Sequence, residues 1–270
     1  MKTDYIYIDH QWKNESMYHT KHLVNLIRDF KEKIYIYQIQ TITQSEKEAR
    51  IIRYQTLVQH ALKYNYNMIM TGHTKTDKLE TFFQQLFRGT SLEGITSLNI
   101  SNKIHSKILI TRPLLTTNRI ETYWFCRQLS LPIWSDISNY NNRIKRNRIR
   151  YELMPYLSQY FGNKITNNIY SFLIIASKDN EYIKQNALKV YLLARHNKYI
   201  ALNYNFIQTQ HIAIQVRVLY IFFCHSFNKI LTRITIYQLI NNINHDLCNK
   251  RIIKWEPLTI NLYNQWIYIN

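Results

Sequence analysis

Residues 67 to 90 read NMIMTGHTKTDKLETFFQQLFRGT, and the order of signals in this stretch decides the fold class. A short apolar run, Asn67 to Met70, predicts a strand. It leads through Thr71 and Gly72 into a pattern whose apolar residues recur at helical spacing. His73, Asp77 and Glu80 sit at i, i+4 and i+7, on one face of that helix, at the end of the strand. In an open α/β sheet the carboxyl end of a strand is where ligands bind. Two acids and an imidazole there can hold a cationic amine, a magnesium ion, or both. They can equally form a solvated face whose acids complement the helix dipole, and spacing alone leaves both readings open.

The same alternation extends to either side. YIYID (5–9) reads as a strand and SMYHTKHLVNLIRDF (16–30) as a helix. IYIYQI (34–39) is a second strand, and Ser45 with Glu48 forms a capping box that starts the next helix. KILI (107–110) is a further strand, followed by TRPLL and by a helix in NRIETYWFCRQLS. The prediction is an α/β fold, a mostly parallel twisted sheet with flanking helices in three layers, followed by a mainly helical region. The boundary is placed near Pro155, giving domains at 1–157 and 158–270. In the second part, 165–195 and 210–243 read as helical and PLTINLYNQWIYIN as a small hairpin.

The chain carries 35 Lys and Arg against 17 Asp and Glu, a net charge of +18 over 270 residues. That balance predicts a polyanionic partner, nucleic acid first, because each neutralised phosphate releases counterions. No run of about 18 apolar residues occurs, and MKTDYIYIDH has no signal-peptide core, so the reading is of a soluble protein without a membrane partner. Cys126, Cys224 and Cys248 stand far apart and read as reduced, mostly buried thiols. Only 4 Gly and 4 Pro occur beside 22 Tyr, and Ile, Asn and Lys are abundant. This is the bias of an A+T-rich genome such as an organelle's.

A second constellation is NRIKRNRIRYELMPYL (142–157), with Arg143, Lys145, Arg146, Arg148 and Arg150 within eight residues. Such a cluster suits phosphate, since a guanidinium offers the forked geometry phosphate prefers. Asp9 and His10 end a strand, and Arg112 follows another, so all three are placed at the sheet's carboxyl edge.

Six fragments in order, YIDH, SEKEARIIRY, TGHTKTDKLETFFQQLFRG, ITRPLL, LPIWSDISN and RNRIRYELMP, together resemble the tRNA(Ile)-lysidine synthetase family of the N-type PP-loop ATP pyrophosphatases. The resemblance covers about residues 5 to 157. It implies a ligase that uses ATP and Mg2+ to join L-lysine to C2 of cytidine 34 in the CAU anticodon of tRNA(Ile), turning AUG reading into AUA reading. Under it, Asp77 and Glu80 bind the lysine, with His73 beside them as catalytic residues. Asp9, His10 and Arg112 serve the nucleotide, and Arg146, Asn147, Arg148 and Arg150 serve the tRNA. A homodimer and a plastid stroma location, encoded by the organelle, are the matching expectations, with bacterial cytoplasm as the other setting.

Two departures accompany the resemblance. The family's GHHADDQAET is GHTKTDKLET here, with Thr74 and Thr76 at the second His and the first Asp. The family's S-G-G-x-D-S phosphate loop belongs some tens of residues before YIYIDH, where this chain has MKTD, so the expectation is a PP-loop domain lacking its first strand and phosphate loop. A start that lies upstream, a second polypeptide that supplies the loop, or degeneration would each account for it, with the preserved acidic and basic motifs favouring the first. A non-catalytic tRNA-binding remnant and a tRNA thiolase of the same superfamily are the competing readings, and the isolated cysteines speak against the thiolase.

Overall fold

The computed structural model describes residues 3–11, 16–40, 45–133, 144–245 and 251–269. They form two compact units, 1–173 and 174–270. The division falls later than the expected 157, within a long helix, because the first turns of that helix put Ile169 and Leu173 into the core of the first unit.

The first unit begins with β1 (Asp4–Asp9), α1 (Ser16–Asp29) and β2 (Lys33–Gln38). The strands pair in parallel from Asp4 opposite Lys33 to Asp9 opposite Gln38. Ser45 caps α2 (Glu46–Lys63) by accepting the Glu48 amide at 3.2 Å, as its spacing to Glu48 predicts. Helix α2 then leads to β3 (Met68–Met70). Strand β3 pairs in parallel with β5 (Ile108–Thr111). Strand β4 (Ser101–His105) pairs antiparallel with β5 and was not legible in the sequence. Alternation in β5 buries Ile108 and Ile110, which pack with Ala61 of α2 and Ile69 of β3. Among the described residues of this first unit the strands fall into two hydrogen-bonded groups, β1-β2 and β3-β5-β4, where one continuous sheet was expected.

Helix α3 (Lys75–Phe87) follows β3 directly and α4 (Leu92–Ile95) is a single turn after it. A short 3-10 turn at Pro113–Thr116 and α5 (Arg119–Gln128) follow β5. The basic segment folds as α6 (Lys145–Arg148), a π-helical turn (Ile149–Leu153) and α7 (Met154–Phe161). Its apolar side supplies Ile149 and Met154, which bury against Leu79, Phe82 and Phe83 of α3 and Leu173 of α8 (Ile165–Ala194). That packing fixes the basic segment against the acidic helix. LPIWSDISN lies outside the described residues from Trp134 onward, as does Arg143.

The second unit differs from the mainly helical expectation by containing a four-stranded antiparallel sheet. Its strands are β6 (Ala201–Asn203), β7 (Arg251–Trp255), β8 (Leu258–Tyr263) and β9 (Trp266–Ile269), in the order β6-β9-β8-β7. The predicted terminal hairpin is β8-β9. The expected helix at 210–243 is divided into α10 (Ile212–Phe227) and α11 (Arg233–Asn244), after a short α9 (Asn205–Gln208). The break comes at Asn228, whose φ of 51° places it in the left-handed region that ends helices. Phe222, Phe223, Leu239 and Ile240 form the core with Leu202, Ile260 and Ile267. Cys126 and Cys224 are free thiols, half-buried where burial was expected, and Cys248 lies outside the described residues.

Candidate active site

The carboxyl end of β3 sets the site. Thr71 extends the ladder by donating its amide to the Thr111 carbonyl at 3.0 Å, and Gly72 has open space where a side chain would stand. Thr74 then caps α3. Asp77, at the third helical position, accepts the Thr74 amide at 2.8 Å and the Thr74 hydroxyl at 2.9 Å through Oδ2. This capping box was readable from the T-x-x-D spacing, and it gives one Asp77 oxygen a structural task.

The other oxygen faces the basic segment. Asp77 Oδ1 lies 3.4 Å from Nη2 of Arg146 and 3.9 Å from Nη2 of Arg150. One turn further, Glu80 is fully buried, with Oε2 accepting from Arg146 Nε and Oε1 from Arg150 Nε, each at 2.6 Å. Arg146 also reaches Glu46 of α2 at 3.7 Å. Two carboxylates and two guanidiniums, separate constellations in the sequence, are thus one charge cluster. The physical reason is that a carboxylate with no exposure needs cations and hydrogen bonds in place of water. Arg146 and Arg150, four residues apart, present both forks to the same face of α3.

The remaining predicted residues divide. Asn147 is buried, while Arg148 is exposed and pairs with Glu152 at 2.9 Å. Asp9 is buried and closes its own loop, accepting the Gln11 amide at 2.9 Å and the Ser16 hydroxyl at 3.0 Å. Arg112 is buried, and its Nη1 donates to the Asn99 carbonyl at 2.8 Å. Its Nε is a buried donor without an acceptor among the described residues, which fits an anion such as a nucleotide phosphate.

Electrostatics follow from this packing. Burial lowers the His73 pKa to about 4, opposed by Asp77 and assisted by Arg112, Arg50 and Arg146. The imidazole is therefore neutral at physiological pH, with Nδ1 2.9 Å from the Thr71 hydroxyl. Burial pushes the Asp77 carboxyl up, but the Thr74 amide and hydroxyl together with Arg146 and His73 outweigh it, and the net direction is down. Burial likewise favours loss of the Arg150 proton, yet Glu80 and Asp77 hold its pKa above the ordinary value. His10 is kept below its usual value by burial and by Arg53, with Asp9 opposing.

Two lysines escaped the sequence reading. Lys75 and Lys78 of α3 are buried, with their ammonium groups 4.7 and 5.4 Å from the ring centre of Tyr170. Lys75 also donates to Asn167. Nothing in the periodicity singled them out, because their burial is set by α8.

The PP-loop domain family profile matches residues 1–157. The chain is 49% identical over 268 residues to the chloroplastic tRNA(Ile)-lysidine synthase of Gracilaria tenuistipitata var. liui, covering 99% of this chain and 83% of that protein. It is 36% identical to the chloroplastic one of Pyropia yezoensis, covering 99% and 81%. It is also 36% identical to the tRNA(Ile)-lysidine synthase of Nostoc sp., covering 66% and 52%. A solved U34-tRNA thiolase from Methanococcus maripaludis aligns with a TM-score of 0.49 and 13% identity, over 64% of this chain and 61% of that one. The chain belongs to the tRNA(Ile)-lysidine synthase family, and its first 157 residues are a PP-loop domain.

Proposed function

We propose that this chain is an ATP-using ligase that joins lysine to C2 of cytidine 34 in tRNA(Ile) with a CAU anticodon. The observation that carries the reading is 49% identity over 99% of the chain to a lysidine synthase. The acid and arginine cluster at the end of β3 supports it. ATP would supply the activation: the C2 oxygen takes the adenylyl group as diphosphate leaves, and the lysine ε-amine then displaces AMP, which carries that oxygen away. Arg112 is the residue suited to hold a phosphate of ATP, with Mg2+ bound chiefly through those phosphates; Asp9 and His10 would border the nucleotide.

The chain's own groups would handle the lysine. Asp77 Oδ1, partly exposed, attracts the ammonium, while Glu80 stands behind it and fixes Arg146 and Arg150 in place. The amine must lose a proton before it attacks, and the Asp77 carboxylate is suited to orient the amine as that proton leaves, while His73, with its pKa lowered to about 4, stays neutral and shapes the pocket. The tRNA meets the exposed Arg148 side of the basic segment, and residues 158–270 are proposed to hold its body. A homodimer and encoding in a plastid genome complete the proposal; several relatives are named as chloroplastic. Among the described residues no helix is long and apolar enough to cross a membrane.

The test is incorporation of labelled lysine into a CAU tRNA(Ile) transcript with ATP and Mg2+. Asp77→Ala is expected to lower the rate by about a hundredfold or more, the scale of losing a positioned acid–base group. Full activity in that variant would remove the role of Asp77. Salt-sensitive tRNA binding without ATP consumption by the wild-type chain would instead favour a non-catalytic RNA-binding member.

A further inference from the structure

Beside the charge cluster, α3, α6 and α7 enclose a groove of about 660 Å3, within the ~300–1,000 Å3 span of small-ligand sites. Its walls carry Phe87 and Arg88 from α3 and its cap, Lys145 and Arg148 from α6, Glu152 from the π-helical turn, and Tyr156 from α7. Both rings are exposed, Phe87 at 66% and Tyr156 at 55%, and Tyr156 is braced on one side by the Tyr160 ring at 4.6 Å. The acid among these residues, Glu152, is already matched by Arg148 at 2.9 Å, so Arg88 and Lys145 give the groove a net positive charge.

We infer that this groove receives an unpaired nucleotide of the RNA substrate, its base against Phe87 and Tyr156 and its phosphate at Arg88 and Lys145. The inference rests on the reading of the chain as a tRNA ligase and adds to it a binding surface for a neighbour of the reacting base. Charge complementarity selects a polyanion, and the exposed rings select one with unpaired planar faces. A duplex offers phosphates but keeps its bases stacked, whereas a loop offers both. The basic segment thereby has two functions on two sides. Arg146 and Arg150 turn inward to Asp77 and Glu80, and Lys145 with Arg148 turns toward the groove.

The experiment measures affinity of the full chain for an anticodon stem-loop hairpin of tRNA(Ile) and for a blunt RNA duplex, across a salt series. Tyr156→Leu is expected to weaken hairpin binding about tenfold with an unchanged salt slope, the scale of losing one base–aromatic stack, and Tyr156→Phe to restore it. Lys145→Gln should lower the slope of log K against log salt by about 1. Both side chains are exposed, and circular dichroism checks that the fold is kept. Hairpin binding by Tyr156→Leu at the wild-type level would overturn the inference. So would an equal loss toward duplex, or competition by polyglutamate as strong as by the hairpin. Absence of lysine incorporation by the wild-type chain would count against the ligase reading alone, because the binding difference between hairpin and duplex is read without turnover.

Discussion

Replacing Glu80 by Gln keeps the volume and shape of a fully buried side chain and removes its charge. Two guanidiniums at 2.6 Å then lose their anion. One amide oxygen can still accept from Arg146 or Arg150, but its NH2 group must face the other donor. Asp77 is left to compensate both arginines from 3.4 and 3.9 Å. Breaking a buried pair from one side costs about 3–5 kcal/mol, mostly as the cost of the cations left behind. Taking about 3 kcal/mol, the melting temperature of a unit this size falls by roughly 6–12 °C. The urea midpoint falls by about 1–2 M for a slope near 2 kcal/mol/M. The assay is urea unfolding followed by far-UV circular dichroism, with Arg150→Gln and the double variant completing a cycle. A coupling of about 2 kcal/mol is expected between the two sites. If Glu80→Gln unfolds within about 0.5 kcal/mol of the wild type and the cycle is additive, the charge cluster is not what holds α6 to α3.

Three further outcomes are expected. The folded-state pKa of His73 is about 4 against an ordinary 6.5, so the unfolded chain binds a proton that the folded one refuses. Stability is therefore lost as pH falls from 6.5 toward 4, and His73→Gln should flatten that part of a pH series of urea midpoints. Lys78 is held below its ordinary pKa by burial, which lowers stability at neutral pH and restores it as pH rises toward 10.5. Lys78→Met should raise the melting temperature by about 2–4 °C, the shift for about 1 kcal/mol, and an unchanged or lower value would show that the Tyr170 contact compensates for burial. Asn228→Ala should destabilise the second unit by about 1 kcal/mol, since alanine tolerates the left-handed φ of 51° less well than asparagine; calorimetry measures it.

Much of the first unit was legible because its elements are specified locally. Alternation in KILI, helical spacing in TGHTKTDKLETFFQQLF and the Ser45 cap act over distances of a few residues. Each places its element within a residue or two of where the structure has it. Strand β4 was missed because SNKIH lacks a clear apolar alternation and is a strand by virtue of pairing with β5. The sheet of the second unit was read only at its terminal hairpin, since β6 is three residues long and depends on β9 for its hydrogen bonds.

The site shows the same division. By itself the sequence determined that Asp77 and Glu80 share a helix that follows a strand, and that a dense basic segment lies some seventy residues later. His73, expected on the same helix face, stands just before the Thr74 cap, because the helix starts only at Lys75. The chemistry of each group and the resemblance to a ligase family were on the page in one dimension. Only the tertiary structure decided which charges meet. Burial of Leu79, Phe82 and Phe83 against Ile149 and Met154 brings the two segments together. A fully buried Glu80 then has to draw Arg146 and Arg150 inward, because a carboxylate removed from water is tolerated only with cations at hydrogen-bonding distance. That long-range pairing turned two separate constellations, one assigned to an amine and one to RNA, into a single buried cluster with an open basic groove beside it.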